Sequence, residues 1–374
     1  MFRKYIHFIM ILLLSRCALA SPIMSKPKII NGIPTESQQL PWHVAVNYAH
    51  CGGTIIDTKW VLTAAHCIMS KDGTLRDADS IDISANLIDL NDKNITAHRV
   101  EQFYLHPEYD NDTLVNDIAL IKLATAEYDD HYKFDANTSL KLLSKEEQII
   151  MDKQFENEWV EHQVRNSNLL ASGWGDILPL KEQDGYDPHL RHTLLSGVPS
   201  DQCSSIRNEF FETSYRGNFL KNAICATSPD PKLATDTCRG DSGGPLVWQN
   251  PNHKKDKDKG LRLVGITSYG YYCGANEIPN VYAKVSIYRD WIEKTMNKSL
   301  DSIPVSTFNY DPFEADYSGA PTVEAINVPL KPLTTPPKRS GGSTSMGYLL
   351  FLCGLLLFKC TGMNFTQAER QYKL

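Results

Sequence analysis

The sequence predicts an all-β domain over about residues 29–300, closed or sandwiched from antiparallel strands and ended by a helix. Three observations predict it. Short apolar or alternating runs rich in β-branched residues recur between turn signals: "WHVAVNY", "GGTIID", "KWVLTAA", "DIALIKL", "NLLASGW", "GPLVWQ", "LRLVGITS" and "NVYAKVS". A helical period appears only late, in "IYRDWIEKTMNK". Six cysteines, Cys51, Cys67, Cys203, Cys225, Cys238 and Cys273, fall inside the domain, and an even number in a secreted chain suggests three disulfides.

The flanks set the boundaries. Arg3 and Lys4, an apolar run from Phe8 to Leu14 and the small residues of Cys17-Ala18-Leu19-Ala20 make residues 1–20 a secretory signal cut after Ala20. The run is too short for a transmembrane anchor. Residues 301–345 lose hydrophobic periodicity and collect Pro, Ser, Thr and Gly, which predicts an extended linker without a packed core. Residues 346–374 hold a short apolar segment, Met346–Phe358, and a polar tail. That segment falls short of the roughly 20 residues that cross a bilayer. Two readings stay open for it: a membrane tether, with Cys353 and Cys360 as acylation candidates, or a disordered tail with an apolar patch. The expected location is extracellular, released or attached through residues 346–358.

A formal charge of −6 without a basic stripe gives no support for a nucleic-acid partner. The cysteine spacings resemble no zinc site, so neither metal nor cofactor is expected. Sequons at Asn94, Asn111, Asn137 and Asn297 offer glycan sites to a secreted chain.

Three stretches carry chemistry. His66 ends "LTAAH", Asp117 stands before the apolar run "IALIKL", and Ser242 sits within "CRGDSGG". Taken singly, the first is an ordinary strand-end histidine and the second a turn cap. The third is harder to explain as a turn alone, because glycines at 240, 243 and 244 let a backbone approach something outside it. Together they supply what acyl transfer needs: a nucleophile, a base for its proton, and a group that holds the base in the right tautomer.

With these stretches the sequence resembles the chymotrypsin-like serine peptidases. The likeness extends through "IINGIPTESQQLPWHVAV", "CGGTII", "SGWG", "GDSGGPL", "ITSYG" and "PNVYAKVSIYRDWI", and covers nearly all of residues 29–297. It implies two six-stranded antiparallel β-barrels with the active site between them and a C-terminal helix. His66 and Asp117 are expected from the first barrel and Ser242 from the second. The N–H groups of Gly240 and Ser242 would form the oxyanion hole, while Gly243 and Gly244 serve the turn. The resemblance also implies a zymogen: an activating protease cuts after Lys28, the propeptide 21–28 departs, and the new ammonium of Ile29 pairs with Asp241. Its disulfides would be Cys51–Cys67, Cys203–Cys225 and Cys238–Cys273.

Asp236, six residues before Ser242, matches the floor of the family's specificity pocket and favours a substrate Arg or Lys. Ser268 and Gly270 would meet the substrate backbone and admit its side chain. The pattern breaks at Asn280, where trypsin-like enzymes carry glycine and where a side chain would fill volume near Asp236 or hydrogen-bond it, and at Tyr272 beside Cys273. A family disulfide is missing at both ends, with Leu169 and Trp248 in its place, which predicts apolar repacking. Residues 85–92 lack the glutamates of the family's calcium loop. The polar stretch between Asp117 and Gly173, partly helical in pattern, is expected as a surface insertion, and Asn252–Gly260 as a mobile charged hairpin tip.

The expected function is therefore a secreted, zymogen-activated serine endopeptidase that cleaves protein or peptide substrates after Arg or Lys. An active peptidase of non-tryptic preference and an inactive homologue acting as a binding module are the alternatives.

Overall fold

The computed structural model describes residues 29–327 except 71, 96, 125–132, 177–187, 211–221, 271 and 276. The first barrel closes in the order β2 (His43–Val46), β3 (Cys51–Asp57), β4 (Trp60–Thr63), β7 (Ala119–Leu123), β6 (Ala97–Leu105), β5 (Asp82–Ala85). In the second the order is β8 (Leu169–Gly173), β9 (Arg191–Val198), β10 (Ala223–Thr227), β13 (Asn280–Lys284), β12 (Leu261–Tyr269), β11 (Pro245–Gln249), and pairing of β9 with β8 completes the ring. The short β1 (Ile33–Pro34) adds to β9 at its edge. Every pairing is antiparallel, so two closed six-stranded barrels stand as the resemblance implied.

Sequence pattern explains which strands are covered. β3 is buried along its whole length, as its run "CGGTIID" requires when both faces are packed. β6 alternates between exposed and buried residues and slips register between Val100 and Gln102, which places it at the outer wall. The first core gathers Val44, Ile55, Val61, Leu62, Ile83 and Ile121. A second gathers Leu169, Leu195, Trp248, Val264 and Tyr282. All three disulfides form in the implied pairing.

Helices are less confined to the end than the sequence suggested. Besides α3 (Arg289–Met296), the chain forms α1 (Lys145–Glu158) and α2 (Ser200–Phe210). α1 begins with a full capping box between Ser144 and Glu147. It lies in the stretch expected as a surface insertion, yet Met151 and Phe155 enter the second core. A methyl group on Gly197 would come within 2.3 Å of the Phe155 ring, so only glycine admits that ring here. Glu147, partly shielded, pairs with Arg262, whose guanidinium also meets the buried Asp258.

This helix accounts for the missing disulfide. Trp248 lies opposite Leu169 across the β11–β8 ladder, both fully buried, and the indole N–H donates to Gln154 of α1 at 2.8 Å. Dispersion and burial thus occupy the place of a covalent link. Trp248→Ala is expected to destabilise the domain by about 3–5 kcal/mol, read as a shift in denaturant midpoint at constant slope. A change below about 1 kcal/mol would show that the helix does not brace this barrel.

Two further expectations are corrected. The linker expected without a packed core from residue 301 is folded over residues 301–327. Phe308 is buried edge-on against Trp42 at 4.8 Å, and the Ser306 hydroxyl donates to the Ser139 carbonyl at 2.7 Å. Isolated apolar and aromatic residues among the prolines suffice to seat the strap against the barrels, so the segment needs no periodicity of its own. The hairpin tip at 252–260 is likewise anchored: Asp258 is buried under Arg262, and the Lys257 carbonyl accepts from the Phe308 N–H at 2.9 Å. Residues 328–374, with the apolar segment 346–358, and residues 1–28 lie outside the described residues. Among those described, no helix is long and apolar enough to cross a membrane. The asparagines of all four sequons are exposed.

Candidate active site

Asn116 sets the position of Asp117. It adopts φ +56°, a left-handed conformation that asparagine tolerates better than most residues. Its Nδ2 donates to the Glu108 carbonyl at 2.9 Å within the first barrel. Its Oδ1 accepts from Asn222 Nδ2 at 2.8 Å and from the Tyr288 hydroxyl at 3.0 Å, both on the second barrel. One amide therefore joins the two halves next to the acid.

Asp117 itself is 1% exposed. Its Oδ1 accepts from the His66 backbone N–H at 2.9 Å, and its Oδ2 meets His66 Nδ1 at 2.7 Å and accepts from the Ser268 hydroxyl at 2.6 Å. A carboxylate only accepts, so the proton lies on Nδ1 and Nε2 is left as the basic nitrogen. Burial pushes the Asp117 carboxyl upward, but the charge and hydrogen bonds of His66 and the bond from Ser268 outweigh it and hold the acid below its ordinary range. The imidazole is carried on a one-turn helix, Ala65–Ile68, and Cys51–Cys67 fastens that turn to β3.

The Ser242 loop docks against the same place. Gly52 of β3 donates its N–H to the Ser242 carbonyl at 2.7 Å. Gly243, at φ +76°, lies so close to β3 and β4 that a methyl group on it would come within 2.2 Å of Thr63 Oγ1 and 3.1 Å of Cys67 Sγ. His66 Nε2 lies 3.8 Å from that sulfur, so the imidazole and the loop flank one disulfide. Gly243 thus does more than turn the chain: it lets the two barrels touch. The Ser242 Oγ is buried and has no hydrogen-bond partner among the described residues, so its bond to His66 is not closed. In the absence of substrate such bonds are commonly long and tighten in the complex.

Five successive N–H groups of this loop divide cleanly. Those of Asp241, Gly243 and Gly244 donate to the carbonyls of Cys238, Thr267 and Asp241. Those of Gly240 and Ser242 donate to no carbonyl among the described residues. Gly240, at φ +100°, could not bear a side chain, because a methyl group would meet Gly175 Cα at 2.8 Å. Two uncommitted donors beside an unpartnered hydroxyl form a place where an oxyanion can be received.

Beneath the loop, the buried Asp241 accepts from the N–H groups of Gly175 and Cys238, each at 2.8 Å. Methyl groups on Gly173 and Gly175 would collide with its carboxyl at 2.1 and 2.5 Å, which explains both glycines of "SGWG". Ile29 and Ile30 are fully buried, and Ile30 exchanges backbone bonds with Asp236 at 3.2 and 3.4 Å. Lys28 lies outside the described residues.

Asp236 is 4% exposed. Its Oδ1 accepts from Thr237 N–H at 2.9 Å and Asn280 Nδ2 at 2.6 Å, and its Oδ2 from Gly274 N–H at 2.9 Å. Burial lifts its carboxyl well above the ordinary range despite the two backbone donors. Asn280 is fixed further by Thr237, to whose carbonyl it donates at 3.0 Å. Gly270 and Tyr272 flank this region, buried and half-buried.

Sequence reasoning assigned Ser268 to the substrate backbone and missed its hydroxyl on Asp117. It also missed Asn116 and His43, which no local signal distinguishes. His43 packs under the loop with Nδ1 2.5 Å from Ser172 Oγ, and burial pushes its imidazole down to about 3. His192, held by Thr35 at 2.8 Å and Tyr310 at 3.2 Å, is pushed down by burial to about 4. Both histidines fold neutral while the unfolded chain protonates near the ordinary value of 6.5. Their stability is therefore present above that value and lost as pH falls toward the folded values, the same sign as for Asp117. The thermal midpoint is expected to fall from pH ~6.5 toward pH ~3, and His43→Gln with His192→Gln to flatten the decline above pH ~5. An unchanged slope in the double variant would refute this assignment.

A family model described as Trypsin matches residues 29–292. The chain is 31% identical to trypsin II-P29 of Gallus gallus, over 72% of this chain and 89% of that protein. It is 31% identical to ovochymase of Halocynthia roretzi over 80% of this chain, and 28% identical to urokinase-type plasminogen activator of Gallus gallus over 72%. It spans 17% of the ovochymase and 58% of the plasminogen activator.

Proposed function

Because the chain belongs to the trypsin family of serine peptidases, we propose that it is a secreted, zymogen-activated endopeptidase whose His66, Asp117 and Ser242 cleave protein or peptide substrates through an acyl-enzyme. The observation that carries this reading is the buried Asp117 carboxylate on His66 Nδ1, which leaves Nε2 to accept a proton. In the proposed reaction Ser242 Oγ attacks the scissile carbonyl while Nε2 takes its proton. The carbonyl oxygen becomes an oxyanion received by the Gly240 and Ser242 N–H groups. His66 then returns the proton to the leaving amine, and water repeats the sequence on the ester.

Activation by a protease cutting after Lys28 is supported by the depth of the segment that follows. Ile29 is fully buried, as is Asp241, the proposed acceptor of the new ammonium. Secretion is supported by the N-terminal signal, the three disulfides and the exposed sequons. Attachment through residues 346–358 is the alternative to release. Fluorophosphonate labelling after cleavage at Lys28, with Ser242→Ala as control, tests the reading. Absence of label on Ser242 would favour a binding module.

Asp236 supports cleavage after Arg or Lys, since a buried carboxylate favours a cation. Asn280 favours a second reading, a neutral residue at that position, because its amide already occupies the carboxylate. A peptide-library digest decides between them. Under the first reading Asn280→Gly is expected to raise kcat/KM on Arg and Lys substrates about tenfold by opening the acid. No gain on basic substrates would remove Asn280 as the selective element.

A further inference from the structure

The C-terminal strap ends on the substrate pocket. Beyond Phe308 it passes Gln249, which donates to Asp311 at 2.8 Å, and the ring of His192, which meets Tyr310 and Tyr317 edge-on. Residues 323–326 then run extended and pair strand-like through isolated bridges, Glu324 antiparallel to Leu233 and Ile326 parallel to Ala275. Ala234 N–H donates to the Val323 carbonyl at 2.8 Å, and Ala325 N–H to the Lys232 carbonyl at 2.9 Å, on the stretch leading to Asp236. Ile326 N–H donates to the Gly274 carbonyl at 2.9 Å, beside Cys273. Gly274 in turn gives its own N–H to Asp236.

The third attachment is to the segment after the activation bond. Asn31, 5% exposed and at φ +60°, accepts the Val323 N–H at Oδ1, 2.8 Å away, and donates Nδ2 to the Val323 carbonyl at 3.2 Å. This mimics a strand pairing with one side chain. The Val323 side chain packs on the cluster of Ile30, Ala234, Cys238 and Cys273. One strand thus touches the activation segment, the run that ends on the pocket acid, and the opposite pocket wall.

We propose that Val323–Ile326 is a positioning strand for catalysis, holding the pocket around Asp236 in register with the segment that begins at Ile29, and that Asn31 is the positioning residue that pins it. The inference rests on the peptidase reading of the site. A strand that pairs only with the assembled arrangement shifts the population toward that arrangement, and losing it lowers the binding-competent fraction. Pocket assembly then depends on the strap as well as on the freed N-terminus. Cleavage within residues 309–322 would be a second, inactivating cut.

Two full-length variants test this after cleavage at Lys28: Val323→Pro, which deletes the N–H given to Asn31, and Asn31→Gly, which deletes the amide and keeps positive φ accessible. Wild type and variants are compared by fluorophosphonate labelling of Ser242, by kcat and KM on a peptide chosen from the library digest, and by amide hydrogen exchange. The expected result is a fall in kcat/KM of about tenfold, carried mainly by KM, with Ser242 still labelled and exchange faster at 232–236 and 272–275. If Val323→Pro does not fold, Asn31→Gly alone decides. Should kcat/KM stay within about twofold while exchange shows the strand released, the positioning role is overturned. An unlabelled wild type overturns the peptidase reading instead. Exchange then judges the strand by itself: protection at 232–236 lost in Asn31→Gly supports it, and unchanged protection refutes it.

Discussion

Replacing Ser242 by alanine is expected to lower turnover by about 10⁶-fold, the figure of one Ser-His-Asp peptidase of another fold carried over to this chain, while leaving the fold as stable as before or more so. The first half follows from chemistry, because the Ser242 hydroxyl is the nucleophile of the proposed acyl transfer. The second half follows from burial. The Ser242 Oγ is buried without a hydrogen-bond partner among the described residues, so the folded state carries its desolvation without return. A buried, unsatisfied hydroxyl costs about 1–3 kcal/mol, and alanine removes that cost with little change of volume. Such a group is retained for reaction and not for folding. Parallel measurement of kcat and of the denaturant midpoint checks both halves. A midpoint lowered by more than about 1 kcal/mol would mean that the hydroxyl is structural after all.

The second largest effect is expected from Asp117→Asn, a fall in kcat of about 10⁴, the value of the worked Ser-His-Asp example from this family, carried over to this chain. The geometry explains why an isosteric change should be so damaging. Among the described residues every hydrogen bond of the acid is one it accepts: from the His66 backbone N–H at one oxygen, and from His66 Nδ1–H and the Ser268 hydroxyl at the other. An amide has one accepting end. With its NH₂ toward Nδ1, the imidazole must move its proton to Nε2 and can no longer take one from Ser242. With its NH₂ toward the His66 backbone, two donors face each other at a position that is 1% exposed. The second orientation loses a bond, and the first inverts the base. Steady-state kinetics on the activated enzyme checks this; a loss below about tenfold would show that Asp117 does not set the tautomer. Ser268→Ala should have a smaller effect of the same direction, since Asp117 keeps both His66 contacts.

Much of the site was legible in short stretches. The loop Cys238–Gly244 needs glycines where its backbone approaches Gly175 and Thr63, and such needs are written locally. So is the strand pattern, because a β-residue's burial repeats every second position. The helix α1 was legible only as a helical tendency. Its polar composition hides that Met151 and Phe155 suffice to fill the space beside Trp248. The strap was misread for the same reason: a few aromatic residues spaced by prolines show no period, and their partners Trp42, His192 and Asn31 are remote in sequence.

What the sequence by itself determined are the disulfide cysteines and the barrel strands, and it singled out the residues proposed to react, since each rests on residue type and on neighbours a few positions away. Tertiary structure alone decided which other donors surround them: Ser268 on Asp117, Asn116 across the two barrels, and the returning strand on Asn31. The physical reason is that a hydrogen bond is set by distance and direction in space. A polar side chain's partner hundreds of residues away leaves no mark on the residues beside it.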